Sequence, residues 1–207
     1  MRGRFISLEG GEGVGKTTQL RRLAEALRAR GHDVVETREP GGSPGAEAIR
    51  ALLLEGEVDR WTAETEALLF AAARADHVAR TIRPALERGA WVLTDRFLDS
   101  SLAYQGGAGG VGAEAIMQLH RIGSGGLLPD RTLLLEMPVF DASGRQFERD
   151  GDRVDRFGRK EGSYHDEVAD SFRALAGNDP ERLRVIDAQG SVEDVGARIL
   201  QALDDLL

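Results

Sequence analysis

The sequence predicts an α/β protein whose five-stranded, mostly parallel sheet is flanked by helices. Three observations carry that expectation. Short apolar strand candidates alternate with helical periods along the whole 207-residue chain. A glycine-rich loop, Gly10-Gly11-Glu12-Gly13-Val14-Gly15-Lys16-Thr17, reads G-x-x-x-x-G-K-T and joins the first strand to the first helix. The chemistry-bearing residues follow strands, and ligands of such sheets bind beyond the carboxyl ends of the strands. No repeat, low-complexity tract or linker divides the chain, so one domain over residues 1–207 is expected.

Taken in order, the first strand is expected at 4–8, in the apolar run Phe5-Ile6-Ser7-Leu8-Glu9. A helix over 16–30 follows from Leu20, Leu23, Ala24 and Leu27, with Arg21, Arg22, Glu25 and Arg28 on the other side; Gly31 stops it. The next strand, 33–37, leads through Pro40-Gly41-Gly42 into a helix over 44–54 with Ile49, Leu52 and Leu53 on its apolar face. A long helix over 62–88 carries the stripe Ala67/Leu68, Ala71/Ala72, Ala75, Val78/Ala79 and Ile82, and Gly89 ends it. Strands at 90–94, 131–136 and 183–187 alternate with helices at 113–122, 163–176 and 192–206. Strand–helix–strand order implies right-handed crossovers and hence a parallel sheet.

Composition narrows the function. The hydrophobic fraction of 41% is enough for a core, and the net charge of -8 argues against non-specific nucleic-acid binding, which needs a basic surface. Any anion site must then be a local arginine cluster. No cysteine is present, which removes disulfides, thiolate metal sites and a cysteine nucleophile. No apolar run approaches the ~20 residues that span a bilayer, and Met1-Arg2-Gly3-Arg4 leads straight into the first strand without a signal peptide. A soluble, cytoplasmic protein is expected.

In the glycine-rich loop, the backbone N–H groups wrap an anion and the helix N-terminus adds partial positive charge. Lys16 would reach the outer phosphates of a nucleotide, and the Thr17 hydroxyl would ligate magnesium. Arg38 and Glu39 sit at the carboxyl end of the second strand, where ligands of such sheets bind, the alternative being an exposed turn with solvated charges. Phe70 points away from the stripe of the long helix with Arg74 one turn on; an aromatic face beside a guanidinium suits a planar base, the alternative being that Phe70 packs in a second layer. His77 continues that face and receives no role. Asp95 ends an apolar strand, as a carboxylate beside the magnesium of a P-loop does, or as a helix cap does. Arg96 beside it could clamp a phosphate. Gly107-Ala108-Gly109-Gly110-Val111-Gly112 matches G-x-G-x-x-G but follows no strand, and reads as a flexible loop. Arg145, Arg149, Arg153, Arg156, Arg159 and Lys160 crowd a stretch that reads either as a solvated charge run or as a mobile arm closing over phosphates.

Four stretches resemble the bacterial thymidylate kinase (dTMP kinase) family, among the P-loop nucleoside monophosphate kinases. They are Glu9 to Thr18, Thr37 to Gly42, Phe70 to Arg74, and Asp95 to Gly107, in that order. The resemblance spans essentially the whole chain and implies the three-layer P-loop NTPase fold with a lid at about 145–160. It implies phosphoryl transfer from ATP to dTMP, giving dTDP and ADP for dTTP synthesis, with Mg2+. By it, Gly10, Gly11, Glu12, Gly13, Val14, Gly15, Lys16, Thr17 and Thr18 hold ATP, and Thr17 and Asp95 organise the metal. Phe70 stacks on thymine with Arg74 at its carbonyl edge, Ser101 and Gln105 contact the base, and Tyr104 crowds the sugar C2′ position. Arg50 and Arg96 grip the acceptor phosphate, Arg38 and Glu39 shape that pocket, and Glu12 lies near the acceptor 3′-hydroxyl. Lys16, Glu12 and Arg96 join the lid arginines Arg149 and Arg153 (with Arg156 a third candidate) in catalysis. A homodimer is implied too. Phe97 departs from the tyrosine or histidine frequent after Asp-Arg, Gly158 from the glutamate that often ends the lid motif, and Leu135-Glu136 from the usual aspartate-bearing strand end.

Three rival classes remain at this stage. A regulatory GTPase would need an Asn-Lys-x-Asp element, but the one asparagine, Asn178, precedes Asp179. An ATP-driven module of a larger assembly would release phosphate without an acceptor. Another small kinase would use a different monophosphate or nucleoside.

Overall fold

Phe5–Glu9, buried at every position, is the strand from which the sheet is laid out. The computed structural model describes residues 2–138 and 155–207. β1 (Phe5–Glu9) lies between β3 (Trp91–Asp95) and β4 (Arg131–Glu136); β2 (Val34–Arg38) flanks β3 and β5 (Leu183–Asp187) flanks β4. The order is β2-β3-β1-β4-β5 and every pairing is parallel.

Alternation along β1 sorts its side chains into two layers, as the pleat requires. Ile6 and Leu8 join Leu23 and Leu27 of α1 (Lys16–Ala29) and Ile199 of α8 (Val192–Gln201). Phe5 faces the opposite layer with Val92, Ile82, Leu86, Phe97 and Ile116. Burying a leucine or phenylalanine fully contributes roughly 1.5–3 kcal/mol, so these two layers dominate the stability of the sheet. On the Phe5 side the buried strand positions also include polar groups: Ser7 Oγ pairs with Thr132 Oγ1 at 2.9 Å.

Three expectations change. The long helix is α3 (Ala63–His77), a π-helical stretch (Val78–Ile82) and α4 (Arg83–Glu87). The Arg83 N–H reaches the Val78 carbonyl, five residues back, and Pro84, which has no N–H to give, follows at once. The buried face of α3 is not the alanine stripe. Ala67 is buried as expected, but Leu68 is 56% exposed and Ala72 is exposed, while Glu66, Ala73, Arg74 and His77 are buried. Polar partners hold that face inward, a pairing that apolar periodicity cannot show. Lastly, α5 (Leu98–Ser101) and a second π-helical stretch (Leu102–Ala108) stand where no helix was expected, so Gly107 is helical rather than part of a flexible loop. A Cβ on Gly107 would meet Ser171 Oγ of α7 (Gly162–Asn178), so only glycine allows the two helices this approach.

The chain then runs through 109–112 into α6 (Ala113–Ser124), and α2 (Pro44–Leu54) packs beside α3. Strand bounds lie within one residue of those expected. Register places Leu8 and Arg38 both opposite Asp95, so the carboxyl ends of β1, β2 and β3 form one rim. No described helix is long and apolar enough to cross a membrane.

Candidate active site

The rim is built on the loop between β1 and α1. Gly10 has φ 131°, and a Cβ there would lie 2.4 Å from the Leu135 carbonyl oxygen; any other residue would push the loop off β4. Gly15 at φ 93° turns the chain into α1, whose first turn takes no side-chain cap. Its free amides and the positive end of the helix dipole therefore face the loop, where an anion satisfies both. Lys16 is buried within the loop, donating to the carbonyls of Gly10 (3.2 Å) and Gly11 (2.5 Å). Burial, and then the Arg96 charge, push its ammonium down to about 8. Beside the loop, Gly13, Gly15, Thr18, Ala188, Gly190 and Val195 line a cavity of about 430 Å³. Ala188 and Gly190 follow β5, a strand end that carries no recognisable motif.

Thr17 Oγ1 donates to Asp95 Oδ2 at 2.6 Å. A hydroxyl and a carboxylate this close form a hard-oxygen pair that fits Mg2+, which takes one or two protein ligands and fills the rest with phosphate and water. No cluster of three or more His, Cys, Asp or Glu that could hold a metal ion occurs among the described residues.

Arg96 follows Asp95 with φ 69°, the one non-glycine positive φ among the described residues, at a cost of ~1–2 kcal/mol. That turn swings its guanidinium back under the loop. Nη1 donates to the Gly10 carbonyl and to Ser100 Oγ, each at 3.0 Å. Nη2 donates to Glu12 Oε1 at 2.6 Å and to Tyr104 Oη at 3.2 Å, with the guanidinium 5.0 Å from the Tyr104 ring centroid. The structure thus brings Lys16, Glu12, Arg96, Tyr104, Thr17 and Asp95 together.

A second group lies beyond the ends of β2 and β3. Glu39 is buried and accepts from Arg74 Nε at 2.8 Å; its other oxygen is 2.9 Å from His77 Nδ1. His77 Nε2 in turn lies 2.7 Å from Thr37 Oγ1. Arg74 Nη2 donates to Ser101 Oγ (2.8 Å) and to the Phe97 carbonyl (3.1 Å). Gln105 is buried, and its Nε2 has no partner among the described residues. A buried amide donor left this way can take an incoming carbonyl as its acceptor. Phe70 is half-buried, edge-on to Phe157 with ring centroids 5.6 Å apart.

Arg38 is exposed and pairs with Glu47, whereas Arg50 donates to the Pro40 carbonyl at 2.6 Å. Burial and the nearby Arg38 charge both lower the pKa of Arg50, so two like charges are held where an anion relieves both. Arg149 and Arg153 lie outside the described residues. Arg156 is fully buried between Glu66 (2.7 Å) and the carbonyls of Leu53 and Val58, none of them in the loop. Sequence reasoning left His77, Asp99 and Ser100 without a role; His77 and Asp99 have partners tens of residues away, and Ser100 links its near neighbour Arg96 to the distant Glu9, where no local spacing points.

Residues 8–199 match the protein-family model described as "Thymidylate kinase". A thymidylate kinase of Rhizorhabdus wittichii is 69% identical over the full length of both chains. One from Caulobacter vibrioides is 50% identical, over 95% of this chain and 94% of the other. The crystal structure of the Ehrlichia chaffeensis thymidylate kinase superposes with a TM-score of 0.78 at 30% identity, covering 99% of each chain.

Proposed function

The chain belongs to the thymidylate kinase family and transfers a phosphoryl group from ATP to dTMP, giving dTDP and ADP, with Mg2+; on that premise we propose the role of each residue in the reaction. The observation that carries these assignments is the convergence at one rim of the loop with Lys16, the Thr17–Asp95 pair and the Arg96 guanidinium.

An oxygen of the dTMP phosphate attacks the γ-phosphorus in line, and the bond from that phosphorus to the β–γ bridging oxygen breaks as ADP leaves. The protein's work is alignment and charge neutralisation. The amides from Gly10 to Thr18 and Lys16 cradle the ATP phosphates, with the cavity by Ala188 and Gly190 for the nucleoside. Thr17 and Asp95 would hold Mg2+, which would supply charge neutralisation at the phosphates. Arg96 and Arg50 bind the acceptor phosphate, while Arg38 and Glu39 shape its pocket. Phe70, Arg74, Ser101 and Gln105 bind the base, and Tyr104 lies at the sugar. Glu12, paired to Arg96, faces the acceptor 3′-hydroxyl. Residues 1–207 form one P-loop kinase domain, and a lid at about 145–160 brings Arg149 and Arg153 to the transferring group.

ADP release measured over dTMP, dUMP, UMP, CMP, AMP, GMP and thymidine tests this reading. Turnover is expected to be highest with dTMP and negligible without an acceptor. A strong acceptor-independent rate would count against it.

Two predictions arise here. ATP phosphates favour the charged form of Lys16, so its pKa, near 8 in the free protein, rises on binding. At a pH of about 8.5, ATP binding is therefore expected to take up roughly 0.7 proton, seen as a buffer-dependent binding enthalpy that Lys16→Met removes. The same enthalpy in every buffer would contradict the placement of Lys16 on the phosphates. We also propose a cytoplasmic homodimer, with Leu68 (56% exposed) on α3 and Ile122 (84%) on α6 in its interface. In sedimentation the protein is expected at twice the monomer mass and Leu68→Glu at the monomer mass; a wild-type monomer contradicts this.

A further inference from the structure

Glu9 ends β1 fully buried, an expensive place for a carboxylate unless its bonds are put to use. Both oxygens are engaged, and both hold the segment that carries Arg96. Oε1 accepts the Phe97 N–H at 2.7 Å. Oε2 accepts Ser100 Oγ at 2.5 Å, and the same hydroxyl oxygen accepts Arg96 Nη1 at 3.0 Å. One bond therefore fixes the backbone immediately after the left-handed residue. The other forms a chain, carboxylate to hydroxyl to guanidinium, that ends on the Arg96 side chain.

We propose that Glu9 is a positioning residue for phosphoryl transfer, locking the left-handed turn at Arg96 and aiming its guanidinium through the Ser100 hydroxyl. The inference rests on the assignment of Arg96 to the acceptor phosphate. With Glu9 ionised, the Ser100 O–H points at the carboxylate and turns its lone pairs to Arg96, a charge-assisted arrangement. A neutral group at position 9 donates to Ser100 instead and weakens that acceptor.

Burial, and then the Asp99 charge, raise the Glu9 carboxyl to about 7, against the bonds from Ser100 and Phe97 and the Arg96 charge. The charged and titratable groups around it come from four elements. They are Asp99 on α5 (itself clamped by Arg182 at 2.7 and 2.9 Å), Arg96 after β3, Lys16 on α1 and Tyr104 on the second π-helical stretch. The ionised, positioning form is therefore lost as pH falls through neutrality.

The test compares wild type, Glu9→Gln, Glu9→Asp and Arg96→Ala, with kcat and KM measured from pH of about 6 to about 8.5. Gln copies the protonated acid in shape and charge. At the upper end, Glu9→Gln is expected to lower kcat about 30-fold with the ATP KM within about threefold; at the lower end the gap narrows to about threefold. Taking the variant-to-wild-type ratio at each pH cancels titration of the substrates. Glu9→Asp, which keeps a carboxylate, retains a limb near neutral pH and serves if the Gln variant does not fold. A ratio that is constant with pH, or a Glu9→Gln enzyme equal to wild type while Arg96→Ala is inactive, overturns the Glu9 inference alone. Unaltered turnover in Arg96→Ala overturns the assignment of Arg96 on which it rests.

Discussion

Arg96→Ala is expected to lower turnover with dTMP about a thousandfold while ATP affinity stays within a few-fold. The guanidinium fork touches the loop carbonyl, Ser100, Glu12 and Tyr104 at once, so it is fixed before substrate arrives. Charge neutralisation by a group already in place costs no reorganisation in the transition state, and this is why the loss falls on kcat. Arg96→Lys keeps the charge without the fork and should recover only part of the rate. The φ of 69° strains alanine as it strains arginine, so the substitution adds no backbone penalty. ATP binding by calorimetry alongside steady-state turnover checks both halves; unchanged turnover with dTMP would remove Arg96 from the reaction.

Glu39→Ala is expected to have the largest effect on stability. Among the described residues, Glu39 is the one carboxylate paired with both Arg74 and His77, and all three are buried. Its removal leaves the Arg74 guanidinium uncompensated away from water, which costs about 3–5 kcal/mol. For a domain of this size that corresponds to a fall in Tm of roughly 6–20 °C. Arg74 would also lose the bond that holds Nε while Nη2 meets Ser101, so the dTMP KM should rise with the melting change. Thermal unfolding and dTMP titration on one preparation test this. A variant that melts like wild type would show that the triad is not holding α3 against β2.

Those two residues differ in how far sequence revealed them. Arg96 was legible because an apolar strand ending in Asp-Arg is a local signal, and the glycine loop was legible for the same reason. The three central strands, β1, β3 and β4, are short runs buried on both faces and bounded by turns, and the edge strands β2 and β5, buried only in part, still show as short β-branched or apolar stretches between turn residues, so all five were bounded to within a residue. The Glu39–Arg74–His77 triad joins residues 35 and 38 positions apart, and nothing in the local spacing announces it. Its polar side chains are the buried face of α3, so apolar periodicity selected Leu68 and Ala72, which face solvent. Residues 98–108 failed for the opposite reason: Leu98, Asp99, Ser101 and Leu102 to Gly106 are all buried, and a helix covered on every side shows no amphipathic period. The lid arginines Arg149 and Arg153 lie outside the described residues, and their part in transfer stays with the proposal above.

The π-helical stretch at Val78–Ile82 carries a consequence for how one helical rod serves two neighbours. A five-residue hydrogen bond accommodates one residue more than an α-turn, and one residue is worth about 100° of rotation about the axis. The stretch acts as a clutch. Upstream, Arg74 and His77 keep the angular phase that meets Glu39; downstream, Ala85 and Leu86 are rephased to meet the sheet. The ligand-facing half of the rod and its structural half are thus geared separately, so substitutions that repack one need not turn the other.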